Sequence, residues 1–170
     1  YIIRLIEDNN LKPTKIIATL GHFDHILAVN ELKLAYKIPF LLHKKDKFLL
    51  NQMQSSAKHF TAFDPGPAPI ADGYLKDKEK LEIGNWKLEI LYTPGHTPGS
   101  ITLINKSKKI AFVGDLIFKD GDVGRTDFSY SNERDLEKSI QRILKLPKET
   151  IIYPGHGEKT TIKSWATYLL

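Results

Sequence analysis

The chain has 170 residues, 41 % of them apolar and 26 % charged, which suits one globular domain with its own core and excludes a disordered polymer. Its net charge of +5, from 25 basic and 20 acidic residues, favours an anionic small molecule or incidental nucleic-acid contact only weakly. No apolar run reaches the ~18 residues of a membrane span, and the absence of cysteine removes disulfides, thiolate metal sites and cysteine nucleophiles, leaving His, Asp and Glu as metal ligands.

Ile2, Ile3, Leu5 and Ile6 recur at helical spacing and predict a helix over residues 1 to 10, ended by Asn9-Asn10. The acidic residues Glu7 and Asp8 and the lack of a small-residue cleavage site do not suit a signal peptide, so the cytoplasm is the default expectation. Residues 15 to 19 form a short apolar run after Pro13, expected as a buried parallel strand. Ile26, Leu27, Val29, Leu32 and Ala35 make the stripe of a second helix, Pro39 to Leu42 reads as a strand, and residues 44 to 56 as a helix. Residues 60 to 72 hold Pro65, Pro67 and Pro69 and read as an irregular excursion.

From Leu81 onward the pattern alternates. Residues 81 to 83, 86 to 92, 100 to 104 and 109 to 113 are expected as strands, with Asn105-Lys106-Ser107-Lys108 as a hairpin turn. Residues 116 to 130 are an Asp- and Gly-rich loop, with too few acids at Gly121-Asp122-Val123-Gly124 for an EF-hand. Leu136, Ile140, Ile143 and Leu144 mark a helix capped near Ser131-Asn132-Glu133, and Ile151-Ile152-Tyr153 a last buried strand. The strand–helix–strand rhythm is that of an α/β fold.

The polar residues left over share one context. Thr19-Leu20-Gly21-His22-Phe23-Asp24-His25 follows the first strand, Pro94-Gly95-His96-Thr97-Pro98-Gly99 follows the strand ending at Tyr92, Gly114-Asp115 follows Val113, and Pro154-Gly155-His156-Gly157 follows Tyr153. Sites form where loops converge over strand ends. Glycines beside His22, His96, Asp115 and His156 leave room around each imidazole or carboxylate. Any one of these histidines could be a turn residue; four of the six in this repeated setting point to a metal site. Zinc, iron or manganese suits such ligands, and Asp115 is the natural bridge between two ions. His43 and His59 read as structural or surface residues, with His59 alone near enough to the irregular loop to meet a substrate.

The segment Thr19 to His25 resembles the Thr-His-x-His-x-Asp-His motif of the metallo-β-lactamase fold hydrolases. Thr93 to Ser100, Gly114-Asp115 with Gly124-Arg125-Thr126-Asp127, and Tyr153 to Gly157 resemble those of its glyoxalase II-like branch, in its short single-domain form. The resemblance implies one four-layer αββα sandwich over residues 1–170. It implies a first metal on His22, His96 and Asp115 and a second on Asp24, His25, His156 and the shared Asp115. It departs at Leu20, where the family has a histidine of the first subsite, so that subsite is expected to be weakened and the loading uneven. Arg125 and Asp127 match a Gly-Arg-x-Asp feature and are expected to form a structural ion pair. The family's opening strands are not evident, which implies an exposed sheet edge: residues before Tyr1 cover it, a partner chain or second copy covers it, or the domain is a truncated relic.

Three activities compete on this reading. The first is hydrolysis of a small acyl thioester such as S-lactoylglutathione by attack of metal-bound hydroxide, with Asp24 as both ligand and catalytic group. The second is an iron-dependent persulfide dioxygenase, and the third a catalytically impaired member keeping the fold. The lysines at 44, 45, 47, 106, 108 and 109 lack interleaved aromatics, so neither a nucleic-acid nor a membrane partner is expected.

Overall fold

Neighbouring side chains on each strand go to different layers, and that alternation sets the architecture. The computed structural model describes residues 1–169. A three-stranded parallel sheet contains β1 (Ile16–Ile17), β2 (Phe40–His43) and β3 (Gly73–Leu75), in that order. A six-stranded sheet runs β4 (Lys80–Ile83), β5 (Trp86–Tyr92), β6 (Ile101–Asn105), β7 (Ile110–Gly114), β8 (Ile151–Pro154) and β9 (Thr160–Thr161), antiparallel except for β7 with β8.

Phe40 and Leu42 of β2 pack with Ile26, Val29, Leu50 and Met53, which lie on α2 (Phe23–Ile26), α3 (Val29–Tyr36) and α4 (Lys47–Thr61). Leu41, between them, joins Leu75, Leu81, Leu88, Ile90, Ile101 and Leu103 in the layer between the sheets. On the far side, Ala111 and Val113 of β7 and Ile152 of β8 pack under α5 (Glu133–Ile143) and Trp165 of α6 (Ile162–Trp165). Helices, sheet, sheet and helices therefore stack as the four expected αββα layers.

Several elements differ in detail from the expectation. The first helix, α1, spans only Ile2–Asp8 and has no buried residue, because the rest of its stripe has nothing to pack against among the described residues. The single helix expected from Ile26 to Ala35 is two, α2 and α3, separated by Leu27-Ala28. A 3-10 turn, Lys44–Asp46, precedes α4, which runs on to Thr61 and stops where Ala62 takes a left-handed φ of 58°. β3, β9 and α6 were not expected at all: the two strands have two or three residues and depend on their partners rather than on their own pattern. The hairpin turn after β6 is held by Asn105, whose Oδ1 accepts from Lys108 N and Ser107 Oγ, each at 2.9 Å. α5 begins at Asn132, whose side chain accepts from Asp135 N at 3.0 Å, in the expected cap region.

Strand direction gathers the loops. β5 and β7 each lie antiparallel to β6, and β8 is parallel to β7, so all three end at one edge of the large sheet. Thr19 carbonyl, just past β1, accepts from Ile101 N at 2.8 Å and ties the small sheet to the same edge. Ile143, with no solvent exposure, anchors α5 over this sheet. Ile143→Ala is expected to cost about 2–5 kcal/mol in urea unfolding, whereas Leu34→Ala, at an 83 % exposed position, should stay within about 0.5 kcal/mol.

Candidate metal centre

Each strand end delivers one piece of the site. The loop after β1 carries His22 at the start of α2, whose single turn carries Asp24 and His25; the β5–β6 loop carries His96; β7 ends one residue before Asp115; the β8–β9 loop carries His156. Two groups result: His22 with His96 and Asp115, and Asp24 with His25 and His156. In the first, His96 Nε2 lies 3.0 Å from His22 Nδ1 and 3.5 Å from Asp115 Oδ2. In the second, Asp24 Oδ2 lies 2.9 Å from His156 Nε2 and 3.6 Å from His25 Nε2. Asp115 faces both: Oδ1 is 3.3 Å from His25 Nε2, and Oδ2 is 3.6 Å from His156 Nε2.

These residues fit a metal on two counts. A tetrahedral shell with zinc–ligand bonds of ~2.0–2.1 Å has donor-to-donor edges of about 3.3 Å, and the spacings above bracket that value. In addition, His25 Nε2 and Asp115 Oδ1 are buried without any hydrogen-bond partner. Two adjacent orphaned donor atoms are costly unless a cation or proton satisfies them.

The outer nitrogens of the first group are clamped by one segment, residues 125 to 130. His96 Nδ1 donates to Arg125 carbonyl at 2.8 Å, which leaves the Nε2 lone pair facing the cluster. His22 Nε2 pairs with Tyr130 hydroxyl at 2.9 Å, leaving Nδ1 inward. Phe128 sits edge-on to His22 at 5.2 Å and stacks on Tyr130, also at 5.2 Å. Arg125 lies over the Phe128 ring at 4.6 Å and donates from Nε to Asp127 at 2.6 Å. The expected Arg125–Asp127 pair is therefore present, on the solvent side of the segment that holds the two imidazoles.

Burial, then the neighbouring His96, lowers the His22 pKa to about 4. Burial likewise lowers His96. Both rings are thus neutral at pH 7, the form that binds metal. His25 goes the other way: burial opposes its charge, but the Asp115 carboxylate 3.3 Å away raises it. Asp115, which burial alone would raise, is lowered by His25 and the other imidazoles. His25 and Asp115 thus each favour the charged form of the other.

One buried residue was missed by sequence reasoning. Asp46, fully buried at the end of the 3-10 turn, accepts from Gly21 N at 2.9 Å, Thr97 Oγ1 at 2.7 Å and Gly99 N at 2.6 Å. It ties the loop of His22, Asp24 and His25 to the loop of His96. Burial raises its pKa, against the lowering effect of those three donors. Lys44-Lys45-Asp46-Lys47 looks like an ordinary charged helix start, and nothing local marks that carboxylate as internal.

Gly155 serves by close approach: a Cβ there would come within 2.2 Å of Asp115 Oδ1 and 2.6 Å of His25 Cε1. Leu20 is 1 % exposed and packs toward Gly114, where an added Cβ would meet Leu20 Cδ2 at 2.9 Å. It offers no donor atom and does not line the cleft above the metal cluster. His59 is exposed on α4 and does not line the cleft either; the neighbouring Phe60 does. His43 stacks on Tyr92 at 4.7 Å, away from the cluster.

Comparison with known proteins is consistent with this geometry. The model of the family described as the metallo-beta-lactamase superfamily matches residues 1–156. The chain is 37 % identical over 169 residues to a protein named hydroxyacylglutathione hydrolase GloC from Haemophilus influenzae, covering 95 % of this chain and 76 % of that one. It is 35 % identical over 162 residues to the probable metallo-hydrolase YqgX of Bacillus subtilis, with 95 % and 76 % coverage. Among solved structures it is similar to TTHA1623 in a di-iron-bound form, with a TM-score of 0.87, 32 % identity and coverage of 97 % and 80 %. ETHE1 from Myxococcus xanthus superposes with a TM-score of 0.74 at 25 % identity, covering 95 % of this chain and 63 % of that one.

Asp46→Ala should lower metal affinity roughly 10- to 100-fold in competition with a chelating dye, because it frees both ligand loops. Asp46→Asn, which keeps one acceptor oxygen, should lose less; equal affinity in all three proteins would contradict the role. The lowered pKa of His22 also fixes a sign. The unfolded chain binds this proton below about 6.5 and the folded chain only near 4, so the His22 contribution to stability is full above pH 6.5 and is lost as pH falls toward 4. His25, raised in the fold, works oppositely, adding stability below about 6.5 that fades as pH rises through its folded value. In chelator-treated protein, His22→Gln should therefore flatten the fall of thermal midpoint between pH 6.5 and 4; an unchanged slope would refute the assignment.

Proposed function

This chain belongs to the metallo-β-lactamase superfamily of metallo-hydrolases, and we propose that it hydrolyses small acyl thioesters with a divalent metal. The observation that carries this reading is Asp115 standing between two His/Asp clusters at the end of a cleft. Asp24, His25 and His156 with Asp115 would hold the fuller subsite, and His22 and His96 with Asp115 the other, where Leu20 brings no donor. Zinc suits both donor sets, and iron or manganese is compatible with them. A bound ion supplies Lewis acidity, activating water near neutral pH and polarising the substrate carbonyl.

The chain's own groups do the rest. Asp24 has one oxygen toward His156 and a side chain 34 % exposed, so its other oxygen can accept a hydrogen bond from water and orient it toward the carbonyl carbon. Asp24 takes one proton as water adds to the carbonyl; the carbon–sulfur bond breaks, that proton passes to the departing sulfur, and the remaining acid proton goes to solvent. The products are a carboxylate and a thiol. His96 and His22, kept neutral by burial, stay available as ligands throughout.

The His22, His96 and Asp115 set also supports a second reading. Two imidazoles and one carboxylate with open positions are the donor set of non-haem iron oxygenases. Oxygen uptake by iron-loaded protein with glutathione persulfide, without thioester turnover, would favour it. For the leading reading, protein loaded separately with zinc, manganese and iron is assayed on a thioester panel. At least one thioester should be hydrolysed, and Asp115→Asn should lower kcat/KM on the order of 10^2–10^3, the scale of losing one electrostatic stabiliser. Leu20→His should raise kcat/KM by restoring a donor; no turnover with any metal would defeat the proposal.

A further inference from the structure

The metal cluster lies at the base of a cleft of about 500 Å³, within the size range of small-molecule sites. Apart from the candidate ligands, its walls are largely apolar, with Gln52, Ser56 and Arg125 as the polar side chains. Leu49, Phe60 of α4, Phe23 of α2, and Phe128 and Tyr130 of the segment before α5 all line it. The rings are arranged in two stacked pairs from different parts of the chain. Phe23 and Phe60 are 5.9 Å apart and 6° from parallel; Phe128 and Tyr130 are 5.2 Å apart and 10° from parallel. Phe60 is 57 % exposed, so its ring is open to an apolar group entering the cleft.

The charges in this cleft are as informative as the rings. Arg125 is the one Lys or Arg side chain among its lining residues. Its Nε and Nη2 are both taken by the Asp127 carboxylate, and its plane lies over Phe128. A substrate with free carboxylates, as in a glutathione thioester, would meet a mostly aromatic wall whose polar groups are Gln52, Ser56 and the remaining Nη1 of Arg125, a guanidinium already paired with a carboxylate. Desolvating an unpaired carboxylate is strongly unfavourable, whereas an aryl group gains both apolar burial and edge or stacked contacts with these four rings.

We propose that this cleft selects a thioester with an aryl group beside the scissile carbonyl and no carboxylate near it. The proposal rests on the hydrolase reading above and narrows its substrate class. The aryl group can belong to the acyl part or to the thiol, and the two arrangements are separated by the choice of substrate.

Metal-loaded protein is assayed with S-phenylacetyl-N-acetylcysteamine, S-phenyl thioacetate, S-acetyl-N-acetylcysteamine and S-lactoylglutathione. One apolar group in a matching pocket changes kcat/KM roughly 10- to 200-fold. At least one of the two aryl thioesters should therefore exceed the acetyl control and S-lactoylglutathione by about tenfold or more. A preference confined to the first places the ring on the acyl side, and one confined to the second on the thiol side. Phe60→Ala should shrink the aryl-to-acetyl ratio.

Binding is measured independently of turnover, by calorimetric titration of metal-loaded protein with phenylacetate and with acetate. Phenylacetate should bind about tenfold or more tightly, and Phe60→Ala should narrow the difference. If no thioester is hydrolysed but this binding difference stands, the hydrolase reading fails and the aryl selectivity of the cleft survives. If S-lactoylglutathione is turned over at least as well as both aryl thioesters and phenylacetate binds no better than acetate, the selectivity is overturned and the hydrolase reading survives.

Discussion

The centre depends on a carboxylate that is not part of it. Asp46 is fully buried and receives three hydrogen bonds, from Gly21, Thr97 and Gly99. Those donors belong to the two loops that carry four of the six candidate ligands. The first stretch has only the single turn of α2 and the second has no helix or strand, yet each has to point imidazoles inward to within about half an ångström for a metal to bind well. A buried carboxylate with its acceptors filled does this in a way an apolar residue could not, because it fixes direction as well as position. The link from Thr19 to Ile101 then sets the joined loops against the edge of the large sheet.

From that frame the inequality of the two subsites follows. Leu20 is fully buried against the end of β7 rather than exposed at the cluster, so the first subsite has two imidazoles and shares its carboxylate. Both of those imidazoles have their outer nitrogens held by residues 125 to 130, through Arg125 carbonyl and Tyr130 hydroxyl. Fixing ring orientation is one way for a subsite with fewer donors to lose less affinity than the missing ligand alone would imply. The same segment places Phe128 and Tyr130 on the cleft wall, so six residues both orient the candidate ligands and shape the cleft.

Much of this was legible in the sequence because the ligands are marked by local patterns. An apolar run, a glycine and a histidine or aspartate recur at strand ends, and the structure brings all six candidate side chains into two adjoining groups. The strands of the large sheet were readable from alternation, since β5, β6 and β7 are long enough to show a period of two. β3 and β9 are too short for any period and exist because β2 and β8 offer an edge. Asp46 escaped notice for a different reason: its partners are 25, 51 and 53 residues away, and only the fold brings them to it. Phe60 was hidden by its neighbour, His59, the more conspicuous residue for chemistry but the one turned away from the cleft.

The most direct test of a shared, unequal metal centre is a calorimetric zinc titration of chelator-stripped protein, repeated with His156→Ala. The account predicts one tight equivalent followed by a weaker one, with His156→Ala abolishing the tight step. Two equally tight equivalents, or a tight step that survives loss of His156, would contradict it.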